Sequence, residues 1–76
     1  MLKADGFDQA IIGRARRAGQ PDIVAYDYEQ CVAILILQGM SDEEAIEHME
    51  FNVVGAYVGE GTPIFIHLGE DIETDH

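Results

Sequence analysis

Asp27-Tyr28-Glu29-Gln30-Cys31-Val32-Ala33-Ile34-Leu35-Ile36-Leu37-Gln38-Gly39 is the stretch on which the fold turns. Its centre, Cys31 to Leu37, is an unbroken apolar run, and periodicity cannot separate helix from strand in so short a run. The ends decide. Asp27 with Gln30 makes an Asp-x-x-Gln cap, and Gly39 suits the residue that follows a helix. The spacing therefore predicts a helix from Asp27 to Gly39. Wound as a helix, the run is apolar nearly all round, so it is expected at the centre of the core.

The neighbouring segments are read outward from it. Upstream, Ile23-Val24-Ala25-Tyr26 is short and β-branched and predicts a strand. Further upstream, Asp5 or Asp8 can cap a helix over 8–18, with Phe7, Ile11, Ala15 and Ala18 at helical spacing and Gly19 after it. Downstream, Ser41-Asp42-Glu43-Glu44 is a capping box, the most specific local signal in the chain. At 100° per residue, Ala45, Ile46, Met49, Val53, Ala56 and Tyr57 share one face of the helix it starts. Phe51, Val54 and Val58 fall on the far side. Three outcomes are open: the fold covers both faces, the helix stops near Asn52, or Phe51 and its neighbours meet a partner. Gly59-Glu60-Gly61-Thr62-Pro63 is a turn by composition, and Ile64-Phe65-Ile66-His67-Leu68 predicts a second strand. The expected fold is α+β, three helices on a two-stranded sheet in the order α-β-α-α-β. One compact domain over 1–68 would be followed by an acidic, disordered tail over 69–76.

Charge is distributed unevenly. Lys3, Arg14, Arg16 and Arg17 are the only Lys and Arg among the 76 residues, against 15 Asp and Glu, for a formal net charge of −11. Residues 18–76 hold all the carboxylates except Asp5 and Asp8. Such a field attracts basic partners and repels nucleic acid and anionic membrane. No apolar stretch approaches the ~20 residues needed to span a bilayer. The N-terminus lacks the apolar region of a signal peptide, and the single Cys31 excludes an intramolecular disulfide. A cytoplasmic location is expected.

Catalytic chemistry is not legible. Glu44 and His48 stand at i, i+4, as two metal ligands would, but no third or fourth ligand has matching spacing, so no metal and no cofactor is expected. His67 reads as the outward position of a strand, and His76 lies in the tail. Cys31 sits in the apolar run, where a thiolate is disfavoured, and reads as a small core residue. Gly59-x-Gly61 lacks the Lys and the strand-to-helix order of a phosphate cradle. Arg14, Arg16 and Arg17 form a cluster best read as internal charge balance. Asp42, Glu43, Glu44, Glu47 and Glu50 place five charges along about 12 Å of helix. That is one per roughly 2.4 Å, near the one per ~1.7 Å of duplex DNA.

Tyr26-Asp27 … Cys31 … Gly39-Met40-Ser41-x-Glu43-Glu44-Ala45 … Glu50-Phe51-Asn52-Val53-Val54-Gly55-Ala56-Tyr57-Val58-Gly59-Glu60-Gly61-Thr62-Pro63 resembles a family of very short, acidic proteins of bacteriophage and prophage genomes. The opening Asp5-Gly6-Phe7-Asp8 … Ile11-Ile12-Gly13 is similar to that family's start, whereas Arg14 to Arg17 lies outside the pattern. The resemblance carries no activity and no site residues. It implies the bacterial host cytoplasm and a small inhibitor of a host nucleic-acid-binding or defence complex, of anti-CRISPR-like type. The expectation is a non-enzymatic protein that binds a host protein with a basic surface through Asp42, Glu43, Glu44, Glu47, Glu50 and Phe51. It would touch neither nucleic acid nor membrane. The alternative is a module that self-associates as a homodimer through the second apolar face, with acidity serving only solubility.

Overall fold

The computed structural model describes residues 2–56, 59 and 61–69. The tail from residue 70, with His76, lies outside them, as do Tyr57 and Val58 of the expected apolar faces. The α+β class holds, but the arrangement differs from three helices on two strands. Three strands form one sheet in the order β1-β2-β3: β1 (Ile11–Ala15), β2 (Ile23–Asp27) and β3 (Ile64–Ile66). Two helical segments lie between β2 and β3: α1 (Tyr28–Leu37) and α2 (Asp42–His48), the latter continuing as a wider π segment (Met49–Val53) and a 3-10 turn (Val54–Ala56). The expected helix over 8–18 is instead a 3-10 turn (Asp8–Ala10) leading into β1.

The reason is local. Ile11 and Ile12 are β-branched and favour extended backbone. Gly13 follows with φ +151°, a conformation that L side chains rarely adopt. The pairing of β1 with β2 shifts register between Ile11 and Gly13, so the glycine carries a bulge. A helix would lose about 1 kcal/mol at this glycine, and the strand uses it. The hairpin turn ties itself down with charge: Arg16 donates from Nε to Asp22 Oδ1 at 2.7 Å, and Arg14 lies 3.3 Å from Asp22 Oδ2. These exposed contacts set the turn more than they stabilise the fold.

β1 and β2 run antiparallel; β2 and β3 run parallel, so the chain must cross back over the sheet between them. The two helical segments make that crossing. At the start of α1, Asp27 Oδ1 accepts from Gln30 N at 3.2 Å. At its end, Met40 N donates to Leu35 O and Gly39 N to Ile36 O, a Schellman closure. Only Tyr28, Cys31 and Leu35 of α1 are buried, and Leu37 is 87% exposed. The expectation of burial all round is thus corrected: one helix over one sheet face has one covered side. The core joins these residues to Val24 and Tyr26 of β2, Ala45, Met49 and Val53 of the second helical segment, and Ala4, Phe7 and Ala10 of the N-terminal stretch. Tyr26 is fully buried; its hydroxyl accepts from Ala4 N at 2.8 Å and its ring stacks on Phe65.

Candidate functional site

The helical segment after Ser41 carries every residue expected to bind a partner. Both halves of the capping box are made: Ser41 N donates to Glu44 Oε1 at 2.9 Å, and Glu44 N to Ser41 Oγ at 3.2 Å. The Ser41 amide, with its hydroxyl, holds the Glu44 carboxyl below the ordinary carboxylate range. The segment runs on past Asn52 to Ala56. From Met49 the winding widens, and Met49 and Val53 are both in the core. Gly55 belongs to the same feature. A Cβ there would stand 2.8 Å from the Glu50 carbonyl oxygen, so the backbone at this turn has room only for hydrogen.

The far side is uncovered. Phe51 is 76% exposed and Val54 36%, and Ile46, expected on the core face, is 47% exposed. The five carboxylates do not act as one row. Glu44 is occupied by the cap. Glu50 accepts from the Tyr28 hydroxyl at 2.7 Å. Burial, reinforced by that carboxylate, pushes the Tyr28 hydroxyl up to about 12. Asp42, Glu43 and Glu47 remain exposed and make no hydrogen bond or ion pair with a described residue. Glu44, Glu47, His48, Phe51 and Asn52, with Met40, line one shallow groove of about 410 Å³. The site is therefore an exposed ring beside solvated carboxylates, and not the evenly charged rod that spacing alone suggested.

A second cluster was not foreseen. His67 lies just beyond β3, its ring 4.2 Å from the Tyr28 ring and its Nδ1 2.8 Å from Glu29 Oε2. The parallel register, which sets Asp27 beside Ile66, brings His67 to the start of α1. No local sequence signal reports a parallel register. Cys31 is fully buried, and burial, with a smaller contribution from Asp27, pushes its thiol up to about 11. That disfavours the thiolate a nucleophile needs. Among the described residues no three His, Cys, Asp or Glu come together to hold a metal, and no helix is long and apolar enough to cross a membrane.

The chain matches no protein-family model, no curated protein and no solved structure. Nothing in these comparisons bears on the resemblance to small phage proteins.

Proposed function

We propose that this protein works by binding another protein, through the outer face of the helical segment over residues 42–56. The observation that carries the reading is Phe51, 76% exposed on a well-capped helix and sharing its groove with Glu47, which has no partner among the described residues. Ile46 and Val54 are exposed on the same segment, and an aromatic anchor is the commonest centre of a binding hot spot. A partner that fits has an apolar pocket with Lys or Arg around it. In a chain of net charge −11, the long-range field steers such a surface inward and turns nucleic acid away.

The finer reading is inhibition. A basic surface that accepts Asp42, Glu43 and Glu47 is one that also accepts phosphates, so the protein would displace a nucleic acid from a host nucleic-acid-binding or defence complex. No step of this kind needs a catalyst, and the protein is proposed as non-enzymatic. The test uses Glu43→Gln with Glu47→Gln, which removes two charges while keeping size and helix propensity. Capture of a basic host protein from bacterial lysate should weaken, mostly through the association rate and less at high salt. The partner's nucleic acid should compete with this protein for one site. Simultaneous binding of both would end the inhibition reading. Capture that ignores the double variant and Phe51→Ser alike would end the assignment of this face.

A further inference from the structure

The helices cover one face of the sheet, and the other has its own character. Val24 and Tyr26 join the core with Phe65 and Ile11 packed against them, so Ile23 and Ala25 point the opposite way. Their register partners are Ala15 and Gly13 on β1 and, for Ala25, Ile64 on β3. Continuing the antiparallel register into the turn puts Arg17 opposite Pro21 on this same side. Arg14 and Asp22 fall on the other side, where they pair, and Arg16 also pairs with Asp22 while bordering the groove. The result is a groove of about 460 Å³ whose lining includes Ala15, Pro21, Ile23 and Ile64 as an aliphatic floor and Arg17 and Thr62 at the rim. Arg17 makes no ion pair with a described residue. The groove is thus apolar below and cationic above, in a chain with only three other Lys and Arg.

We propose that this groove receives the outer face of the 42–56 segment of a second copy, with Phe51 on the aliphatic floor and Glu47 against Arg17. The two surfaces complement each other within one sequence. The groove lies among the chain's few cations, and the exposed ring with its solvated carboxylates is the natural opposite. A volume of about 460 Å³ falls among pockets of roughly 300–1,000 Å³ that seat small ligands, ample for a phenyl ring. The two surfaces lie on opposite sides of the sheet-and-helix layers. One copy therefore offers its helix to the next while keeping its groove for a third, and the contact adds copies in series. Net repulsion between copies acts at long range and is screened at about 0.15 M salt, where the Debye length is ~8 Å; pairs in contact are screened less. The contact shares the helix face with the proposed function but adds the groove, so the two can fail separately.

Sedimentation over a concentration series tests it. The wild-type mass should rise with concentration above the 8.4 kDa monomer. Arg17→Glu and Glu47→Arg should each remain monomeric, with unchanged circular dichroism because both positions are exposed. Mixed in equal amounts they should associate again, since each now offers the complement of the other. Arg17→Glu should also still capture a foreign basic partner, whereas Glu47→Arg should not. Three results would overturn the inference: a wild-type monomer throughout the series; association abolished by Phe51→Ser but indifferent to Arg17→Glu, which means helix-to-helix pairing; or no recovery on mixing. Foreign capture that persists in any of these cases leaves the proposed function standing. Charge-reversible self-association with no foreign capture does the opposite: the groove contact stands and the proposed function falls.

Discussion

Residues 8–18 and 42–56 both space apolar side chains as a helix would, and only the second stretch is helical. Their beginnings differ. Ser41 and Glu44 satisfy each other's amides, whereas the residue before the turn at Asp8 gives no side-chain cap. Their interiors differ too. Gly13 falls in the middle of the first stretch and bends it as a bulge, and β2 stands close enough along the chain to take its backbone hydrogen bonds. Apolar spacing is thus a condition that a turn followed by a strand also meets. The cap and the glycine carry the decision.

The largest effect is expected in the core. Met49 is fully buried at the widened turn. Met49→Ala should cost about 2–5 kcal/mol. A core of this size rarely supplies more than roughly 3–5 kcal/mol, so the variant should be largely unfolded by circular dichroism. An unchanged urea midpoint would show that the helix stands without its buried face.

Titration should next separate α1 from the hairpin. Tyr28 and Cys31 have folded values raised to about 12 and about 11, so both favour the neutral form when folded. The stability they contribute is complete below their ordinary values and is lost as pH rises through the raised ones. Asp22 is held below the ordinary carboxylate range, chiefly by its hydrogen bond from Arg16. Its contribution is present above that range and disappears as pH falls through the lowered value. Glu44, held low by Ser41, adds to the acid loss, so urea midpoints should drop in alkali through α1 and in acid through both the hairpin and the Ser41 cap. Tyr28→Phe should reduce the first fall, leaving the part due to Cys31, and Asp22→Asn the second, leaving the part due to Glu44.

Smaller effects test the same pair of regions. Gly13→Ala forces a side chain into a conformation used almost only by glycine and should cost about 1–3 kcal/mol. Ser41→Ala removes one half of the box and should cost about 1 kcal/mol. Phe51→Ser should change stability by no more than about 0.5 kcal/mol, as the ring is mostly in water. Equal losses at Gly13 and Phe51, read from urea midpoints, would mean that the ring is part of the core.

What was legible follows from the range of each signal. The Asp27 cap, the closure at Gly39 and the Ser41 box act within a few residues, and each stands where the sequence placed it. The strand at Ile23 was legible from β-branching. β1 was not, because the helical pattern over Phe7, Ile11 and Ala15 outweighed Gly13. Part of the proposed binding face was legible as composition: the acids are on the outside. Its chemistry was not, since the hydrogen bond that occupies Glu50 comes from Tyr28, twenty-two positions earlier. The groove beside Arg17 was hidden for the same reason, because it joins the hairpin to residues next to β3.

The parallel pairing of β3 sets an order of assembly. The hairpin closes across residues 16–22, a short loop, while β3 reaches β2 only after residues 28–63 have crossed the sheet. Non-local contacts stabilise the chain only after that longer closure, so β1 and β2 should join early and β3 last. In the folded protein the order runs in reverse. A three-residue strand on the sheet's edge is the easiest part to release, and its release lifts Phe65 from Tyr26 and His67 from Tyr28 together. Amide protons of Ile64–Ile66 should exchange well before those of residues 24–26, and the groove above Ile23 and Ile64 should open and close with them.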